Sequence, residues 1–336
     1  MSSIHRPLSS ASKIGIIGLG NVGRAIANNI INSELNLHAV FDIRPESMEG
    51  FPGKIAKMES PQDVAAASDV VLTALPTPVT VKAAMLGNKG AFSGLRQGST
   101  WIDHSTTDYH QTLNLAAKCK EIGVNFLEAP VTGGMALLKQ GLMTVLVSGE
   151  KELYQGFLPL LKMSGETVLY LGGLGTATVT KIITNMLAAS HLVCMGEAFM
   201  MAKRNKIDLK MFFEAVRFSA GNSYVIETEA PLMFNGTFDP DFSLELHCKD
   251  LALGRNIARE SGVPLKLHSL VEEIYNEARL FYGDDKGSSH PAKLLQDVLG
   301  EKLQTTGFDD WTYSINISDG SMAVKHTTKA KLNEKE

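Results

Sequence analysis

Lys181 and Asn185 are the side chains of this 336-residue sequence whose types and spacing most directly suggest chemistry. They stand four residues apart in the segment KIITN, so on a helix they would lie on one face, a turn apart. A lysine in a mostly apolar helix is unusual, because an ammonium group prefers solvent. Partial burial would depress its pKa toward a value useful for proton transfer, which makes Lys181 a candidate general acid/base. A surface lysine whose stem lies along the helix is the alternative interpretation.

Two further segments place polar groups directly after apolar strand candidates. DHSTT spans residues 103–107, and EAPVTGG spans residues 128–134. In the second, the Thr132 hydroxyl is followed by Gly133 and Gly134, which offer unshielded backbone N–H groups suited to a carboxylate. Either segment could equally be an ordinary polar turn.

A glycine-rich turn near the N-terminus has the pattern GxGxxG. Alone this pattern is weak, but here it follows a strand candidate, opens a helix and lies in the first βαβ unit, as a dinucleotide site requires. Gly18 would make the tight turn, Gly20 would let the backbone approach a pyrophosphate, and Gly23 would let helix and strand pack closely. The helix N-terminus would then face the phosphates. A plain turn is the alternative. The candidate cofactor residues here are Gly18, Leu19, Gly20, Asn21, Val22 and Gly23.

Asp42 ends the second strand candidate, about 20 residues after the glycines, where a carboxylate can accept hydrogen bonds from the ribose hydroxyls. Such a carboxylate would also repel a 2′-phosphate, so the sequence favours NAD as the cofactor. Arg44 is close enough to bind a 2′-phosphate, which keeps NADP as the less favoured alternative. Leu75 and Pro76 follow the third strand and should border the cofactor cleft, since ligands bind at the carboxyl ends of parallel strands.

The elements that must position these residues alternate in the first half of the chain. Apolar runs separated by amphipathic stretches predict βαβ units and a mainly parallel sheet covered on both faces. The predicted strands are 13–18, 37–41, 69–74, 100–102, 125–127, 144–147 and 167–171, and the predicted helices among them include 21–33, 78–85 and 109–122.

The second half of the chain is predicted to be helical. Residues 176–205 contain no proline and one glycine, which predicts a helix about 45 Å long. Its apolar residues run nearly all round, so we expect it to be buried in a domain core or between subunits. The predicted fold is α/β, with an N-terminal doubly wound Rossmann domain over 13–174 and an all-α domain over 175–300 joined by this helix. Residues 301–336 are predicted to be a loosely ordered tail, with a short edge strand possible over 311–317.

Composition narrows the classes of partner and compartment. The net charge of −4 gives no electrostatic reason to expect nucleic acid or an anionic membrane as a partner. Three cysteines without a CxxC pair argue against a disulfide framework and a structural zinc site, so no metal is predicted and a reducing compartment is expected. No uninterrupted apolar run reaches the roughly 20 residues of a membrane span. Residues 1–13 are interpreted as a disordered leader, with a truncated organelle-targeting sequence as the alternative, and the expected location is the cytoplasm.

Four motifs agree in order and spacing with the β-hydroxyacid dehydrogenase family, which includes 3-hydroxyisobutyrate dehydrogenase and tartronate semialdehyde reductase. They are GLGNVG, DHSTT, EAPVTGG and GGLGTATVTKIITN, and the chain resembles the family over about residues 13–299. A fifth segment, KDL at 249–251, resembles the family's later lysine motif. The resemblance implies transfer of a hydride between NAD and a small β-hydroxy acid or the matching semialdehyde, in a homodimer or homotetramer.

The resemblance also implies residue roles. Lys181 is similar to the family's catalytic lysine, and Asn185 to the amide that helps hold the substrate. Substrate-binding positions are implied for Ser105, Thr132, Gly133 and Gly134. Cofactor-side positions are implied for Thr106, beside the nicotinamide, and for Lys249, with Asp250 orienting that lysine. The oxidised nicotinamide's positive charge would add to burial in depressing the pKa of Lys181.

The chain departs from the family around the substrate loop. Thr132 replaces the usual serine, and residues 135–139 read MALLK where glycine and small residues are typical. These departures leave the substrate open. A related reductase of the same fold that takes another small aldehyde or an imine is one alternative, although imine reductases typically lack the lysine. A non-catalytic dinucleotide-binding protein is another, and it predicts loss of Lys181.

Overall fold

A computed structural model describes residues 8–318 and 321–328 of the chain. Most of the leader predicted over residues 1–13, and the Lys-rich end of the predicted tail, therefore lie outside the described residues. The chain divides into two compact units. The first contains the described residues up to Gly133 together with Leu138–Lys181, and the second contains Gly134–Leu137 and the described residues from Ile182 onward.

The first unit alternates strands and helices, and all seven predicted strands are present. Two further strands, only two residues long, were not predicted because they are too short to show periodicity. The elements in chain order are β1 (Lys13–Ile17), α1 (Asn21–Ile31), β2 (Asn36–Phe41), β3 (Ala56–Lys57), α2 (Pro61–Ala67), β4 (Val70–Thr73), α3 (Pro78–Leu86), β5 (Thr100–Asp103), α4 (Tyr109–Glu121), β6 (Asn125–Glu128), β7 (Val131–Thr132), α5 (Gly134–Gln140), β8 (Thr144–Gly149), α6 (Lys151–Leu161) and β9 (Thr167–Tyr170).

The strands form one sheet in the order β3-β2-β1-β4-β5-β6-β8-β7, with β9 paired to β8. From β3 to β6 all pairs are parallel, whereas β8 runs antiparallel to β6 and β7 and parallel to β9. This confirms the predicted Rossmann-type domain. The register pairs Thr73 with Asp103 and Asp103 with Glu128, so three polar residues form a row where β4, β5 and β6 end.

The sheet is held by apolar strands that are buried on both faces. Ile14, Ile16 and Ile17 of β1 are at most 1% exposed, as expected for a central strand of a parallel sheet. Trp101 on β5 is fully buried and packs on Phe126 of β6, with ring centroids 4.5 Å apart. The polar residues at the strand ends are therefore attached to a rigid base.

The second unit is built from helices and ends in a hairpin. Its elements are the greater part of α7 (Thr176–Arg204), then α8 (Leu209–Arg217), α9 (Tyr224–Phe234), α10 (Leu244–Ser261), α11 (Lys266–Tyr282), α12 (Pro291–Leu299), β10 (Trp311–Ser318) and β11 (Ser321–Thr328). Its core contains Phe199, Phe213 and Phe234, whose rings contact one another edge-on or tilted. The predicted all-α domain is confirmed as a helical C-terminal domain.

Helix α7 matches the predicted helix to within one residue, but it is not buried all round. Leu192 and Phe199 enter the core of the second unit, whereas Ile183 and Leu187 are 46% and 55% exposed. Among the described residues, α7 is also the one helix long and apolar enough to cross a membrane. That is weak evidence, because the core helix of a soluble protein passes the same test.

The predicted loosely ordered tail is wrong for residues 311–318 and 321–328, which pair as an antiparallel hairpin. The Trp311 indole N–H donates to Nδ1 of His326 at 2.9 Å, and His326 Nε2 lies 3.3 Å from a Glu227 carboxylate oxygen. Ile315 is 4% exposed. The strand considered possible over 311–317 is present as β10, whereas its partner β11 was missed.

Candidate functional site

The three glycines of the first turn meet three different requirements. Gly18 has a φ of 92°, a region that favours glycine, and a Cβ there would lie 2.5 Å from the Ala74 carbonyl oxygen. A Cβ on Gly23 would lie 1.9 Å from the Gly18 carbonyl oxygen, so only glycine lets helix and turn approach this closely. Gly20 has extended backbone, and a Cβ there would meet no atom within 4 Å. The open space beside Gly20 fits the approach of a pyrophosphate.

The N-terminus of α1 is not capped by a side chain. Its N-cap residue is Gly20, which has no side chain to accept from the first N–H groups, and its first turn contains no acidic residue. Backbone N–H groups at such an end, together with the helix dipole, favour an anion. The residues present therefore fit the phosphates of a dinucleotide.

Asp42 braces the glycine-rich turn. Its Oδ2 accepts from the Leu19 N–H at 2.7 Å, its Oδ1 accepts from the Arg44 N–H at 2.9 Å, and its side chain is 8% exposed. A carboxylate oxygen can accept more than one hydrogen bond, so these contacts are compatible with ribose hydroxyls as further donors. Arg44 is 61% exposed, with its Nε 3.6 Å from Asp42 Oδ1.

Two apolar side chains near this turn were missed in the sequence. Ile43, directly after Asp42, is 87% exposed, and Val79, in the first turn of α3, is 76% exposed. They follow β2 and β4, the two neighbours of β1 in the sheet, so they flank the glycine-rich turn. Large exposed apolar residues at such positions suit contact with a flat ring. The available signal was, for Ile43, an apolar residue just after a strand, and for Val79, an apolar residue between Pro78 and Thr80 at the start of a helix.

A buried network joins the DHSTT segment to Leu75. Thr73 Oγ1 accepts from the Trp101 indole N–H at 2.8 Å and donates to Asp103 Oδ1 at 2.7 Å. The Ser105 N–H also donates to Asp103 Oδ1, at 3.0 Å. Burial raises the pKa of Asp103 to about 6, opposed by hydrogen bonds from Ser105 and Thr73. The network fixes the strand ends from β4 to β5.

Ser105 connects this network to the cofactor side. It is 4% exposed, and its hydroxyl accepts from the Leu75 N–H at 3.0 Å. The described structure therefore gives Ser105 a role in shaping the Leu75–Pro76 loop, while its predicted contact with substrate stays a prediction. Thr106, the next residue, follows β5 and is only partly buried.

His104 is a neutral structural histidine. It is 5% exposed, and burial lowers its pKa to about 4. Nδ1 lies 2.7 Å from the Ala129 carbonyl oxygen, so it must carry the proton it donates, and Nε2 accepts from the Ser164 hydroxyl at 3.3 Å. His104 thus ties the DHSTT segment to the EAPVTGG segment.

The predicted carboxylate loop has backbone that requires glycine. Gly133 and Gly134 have φ values of 134° and 78°, a region that other residues rarely adopt. Thr132 ends β7, where it pairs with Thr144 of β8. The loop geometry therefore explains the glycines, and binding of a carboxylate by Thr132, Gly133 and Gly134 stays a prediction.

A buried carboxylate, Glu128, binds the N-terminus of α7. Glu128 is 2% exposed and accepts from the Gly175 N–H, from the Thr178 N–H at 3.0 Å and from the Thr178 hydroxyl at 2.7 Å. An external anion at this helix end would have to displace it. Lys181 follows Thr178 by three residues and is 8% exposed, which agrees with the expected burial.

In the second unit, Asp250 holds two of the predicted site residues. Asn185 Nδ2 donates to Asp250 Oδ2 at 2.5 Å, and Lys249 Nζ pairs with Asp250 Oδ1 at 2.9 Å. Asp250 is 2% exposed and Lys249 16%. Because the amide nitrogen of Asn185 bonds to Asp250, its amide oxygen points away from that carboxylate. His247 adds a contact from Nε2 to the backbone carbonyl oxygen of Asn185 at 3.2 Å.

The first unit contains the glycine-rich turn, Asp42, Leu75, Pro76 and Lys181, and the second unit brings Asn185 and Lys249 together around Asp250. Helix α7 carries both Lys181 and Asn185, one turn apart as predicted. Within residues 8–318 and 321–328, no group of three or more His, Cys, Asp or Glu side chains could hold a metal ion.

Two family models match consecutive parts of the chain. The model described as the NAD binding domain of 6-phosphogluconate dehydrogenase matches residues 13–172. The model described as the NAD-binding domain of NADP-dependent 3-hydroxyisobutyrate dehydrogenase matches residues 175–295. The boundary between the two matches lies just before α7.

Known proteins resemble the chain over most of its length. The mitochondrial 3-hydroxyisobutyrate dehydrogenase of Homo sapiens is 31% identical over 278 residues, which cover 80% of this chain and 82% of that protein. The 2-(hydroxymethyl)glutarate dehydrogenase of Eubacterium barkeri is 28% identical over 295 residues, covering 87% and 98%.

A solved 3-hydroxyisobutyrate dehydrogenase of Mycobacterium tuberculosis, with L-serine, has the same fold. Its TM-score is 0.77 at 24% identity, over 85% of this chain and 99% of that one. Both domains are thus matched in order, by sequence and by fold. The chain belongs to the β-hydroxyacid dehydrogenase family of NAD(P)-dependent oxidoreductases.

Proposed function

We propose that the chain transfers a hydride between NAD and a small β-hydroxy acid, or the matching semialdehyde, with Lys181 as the general acid/base. The observation that carries this proposal is the start of α7. There a lysine that is 8% exposed follows a helix end whose N–H groups are already bound by Glu128. An ammonium group prefers solvent, so a lysine that is nearly buried at this place is a candidate for proton transfer.

The chain's own residues divide the work. Lys181 Nζ takes the hydroxyl proton of the substrate in oxidation and returns it in reduction. Asn185, oriented by Asp250, holds the substrate next to that nitrogen, and Thr132 with the following glycines binds its carboxylate. A bound nicotinamide supplies the hydride acceptor or donor, so the protein contributes orientation and charge.

The preference for NAD over NADP rests on Asp42. Its carboxylate is fixed by two backbone N–H groups at the position where a ribose would lie, and it would repel a 2′-phosphate. Arg44 is exposed beside it and offers a cation, so some NADP use is compatible with the same turn. One matching family model is named for an NADP-dependent enzyme, which is why both cofactors belong in the assay.

The proposed substrate class rests on the names of the relatives, and the residues of α5 after Gly134 bear on it. Of the bulkier residues there, Leu137 and Leu138 are 2% and 9% exposed, so they serve the core. Met135 is the remaining large apolar departure, and it is only partly buried. A substrate of three to six carbons with one carboxylate is the expected range.

The alternatives are distinguished by a substrate panel that also contains other small aldehydes and imines. A reductase of this fold that takes another small aldehyde or an imine would show activity outside the hydroxy acids. A non-catalytic dinucleotide-binding protein would bind cofactor and turn over nothing, but the presence of Lys181 argues against it.

The decisive experiment compares wild type and Lys181→Ala on C3–C6 hydroxy acids and semialdehydes with both cofactors. We expect turnover to fall by about 100-fold or more, the usual scale for a lost acid/base, while NAD affinity measured by fluorescence titration stays nearly intact. Wild-type turnover in Lys181→Ala would exclude the mechanism. Lys120→Ala, at an exposed lysine on α4, controls for loss of a positive charge alone.

We also propose that the protein acts as a homodimer or homotetramer in the cytoplasm, on a small carboxylate and without a nucleic-acid or membrane partner. Exposed Ile183, Leu187, Leu280 and Phe281 in the helical unit support association between copies. The absence of a CxxC pair supports a reducing compartment. A light-scattering mass equal to one chain would contradict the assembly.

A further inference from the structure

We propose that Glu128 is a positioning residue for the reaction: it fixes the first turn of α7 on strand β6 and raises the proton affinity of Lys181. The proposal rests on the function proposed above for Lys181. Glu128 touches neither substrate nor cofactor in this assignment and acts only through the helix.

The side chain of Glu128 accepts three hydrogen bonds from the start of α7. One carboxylate oxygen accepts from the Gly175 N–H, and the other accepts both the N–H and the hydroxyl of Thr178. Ser148 of β8, the register partner of Glu128, adds a longer contact to the Ala177 N–H at 3.4 Å. Hydrogen bonds to a buried carboxylate are stronger than neutral ones, so this turn is held firmly to the sheet.

This cap differs from the side-chain caps of the other helices. Those caps are local, because the residue just before each helix accepts from an N–H of its first turn. They are Ser60 for α2, Thr77 for α3, Asp108 for α4, Asp208 for α8, Ser223 for α9 and Ser243 for α10. A local cap stabilises a helix wherever the helix lies. Glu128 comes from a strand 47 residues earlier, so its cap also fixes the helix in place relative to the sheet.

The charge of Glu128 acts on Lys181 through the same turn. A helix N-terminus disfavours a nearby cation, and a carboxylate at that end offsets the effect. Thr178 and Lys181 are three residues apart and therefore lie on one helix face. Glu128 thus holds a negative charge next to the turn that precedes the lysine, which favours the protonated form of Lys181.

Among the described residues, the titratable neighbour of Glu128 on the sheet is Asp103. Asp103 on β5 is the register partner of Glu128 on the other side, and the charge of Glu128 is one cause of its raised pKa. The Tyr109 ring of α4 packs against Gly175, so a Cβ there would lie 2.3 Å from it. Toward the sheet, α6 presents buried apolar residues such as Leu153 and Phe157. Asp103 is the group whose titration must be separated from that of Lys181.

Glu128→Gln tests the proposal in the full-length protein because it keeps the side-chain shape and removes the charge and one acceptor. We expect kcat to fall about 10- to 100-fold, the scale of a misplaced catalytic group, with KM for NAD within about twofold. The acid limb of the pH profile for oxidation should move to lower pH by about half a unit. The same movement in an Asp103→Asn background would assign it to α7 rather than to Asp103.

Amide hydrogen exchange gives a readout that does not depend on turnover. Either Gly175 or Thr178 should lose protection in Glu128→Gln by about tenfold or more, because the glutamine keeps only one of the two accepting oxygens. A normal kcat, or a lower kcat with an unmoved acid limb, would overturn the proposal. The second result would mean that Glu128 only stabilises the fold.

Thr178 supplies a matched pair of variants that decides the matter if Glu128→Gln does not fold. Thr178→Val removes the hydroxyl bonded to Glu128 and keeps the shape, whereas Thr178→Ser keeps the hydroxyl. Thr178→Val should lower kcat about threefold to tenfold relative to Thr178→Ser, the worth of about one hydrogen bond to a charged group. Equal rates would refute the positioning role. Failure of the proposed function is distinguishable, because it would appear as wild-type turnover in Lys181→Ala.

Discussion

Helices α1 and α7 both begin after a glycine-rich turn, and they differ in what binds their first N–H groups. At α1 the N-cap residue is Gly20, which has no side chain to accept from the first turn. At α7 a carboxylate from β6 accepts from Gly175 and Thr178. The N-terminus of α1 is therefore open to an anion from outside the chain, while the N-terminus of α7 already binds the carboxylate of Glu128.

The difference shows that a glycine-rich turn before a helix does not by itself make an anion site. Asp42 sharpens the point, because it is a carboxylate beside the α1 turn that bonds to the Leu19 N–H, before the helix begins. It shapes the turn and leaves the helix end open. At α7 the N-terminus is occupied by Glu128, and the site residues proposed for this helix are the side chains of Lys181 and Asn185.

The largest effect is expected from making α1 resemble α7. Gly20→Asp would place a carboxylate at the α1 N-cap, where the backbone is extended and a Cβ would meet no atom within 4 Å. The new charge should cap the helix and repel the pyrophosphate, so Kd for NAD should rise at least about 100-fold. The midpoint of thermal unfolding should stay the same or rise. Fluorescence titration and thermal melts measure both.

Gly20→Asn is the matched control, because it has the same size and caps a helix without a charge. It should weaken NAD binding much less than Gly20→Asp does. Wild-type affinity in Gly20→Asp would show that the α1 end does not bind the phosphates.

Much of the first unit could be predicted because the determining interactions are local or follow from strand order. Apolar runs predicted seven strands, and the separate roles of Gly18, Gly20 and Gly23 follow from the turn itself. The four-residue spacing of Lys181 and Asn185 needs only helix geometry. Sheet topology then places the strand-end segments at one edge without knowledge of any side-chain contact.

What escaped prediction depends on long-range pairing of side chains. Glu128 is visible in EAPVTGG, but nothing in that segment says that it binds a helix end 47 residues later. Asp250 was expected to orient Lys249, yet its bond to Asn185 links two helices whose packing no periodicity specifies. The exposure of Ile183 and Leu187 could not be predicted either, because a helix that is apolar all round has the same sequence pattern whether or not its outer face is covered.

A smaller effect, on turnover and not on NAD binding, is expected from Asp250→Asn, because Asp250 on α10 bonds to Asn185 of α7. The variant keeps an acceptor for the Asn185 amide but loses the charge that pairs with Lys249. Turnover should fall about 30-fold, corresponding to about 2 kcal/mol for a buried charged contact, while Kd for NAD changes less than about threefold. Steady-state kinetics and titration would show the reverse of the Gly20→Asp pattern.

Glu272→Gln is the control for Asp250→Asn. Glu272 is another nearly buried carboxylate of the helical unit, and it pairs with Arg255 at 2.8 Å on α10. It has no assigned part in the site, so turnover per folded protein should stay at the wild-type level. Loss of NAD affinity without loss of turnover in Asp250→Asn would contradict the division of labour between the two helices.

The smallest effect tests the carboxylate that shapes the α1 turn without filling the helix end. Asp42→Ala removes the acceptor of the Leu19 and Arg44 N–H groups and the charge 3.6 Å from Arg44 Nε. The ratio of kcat/KM for NAD to that for NADP should fall about tenfold, because the ribose loses an acceptor and Arg44 becomes available to a 2′-phosphate. Adding Arg44→Ala to Asp42→Ala should remove the gain with NADP while leaving the loss with NAD. If the ratio stays within about twofold of wild type, Asp42 is only a brace for the turn, and cofactor choice is determined elsewhere.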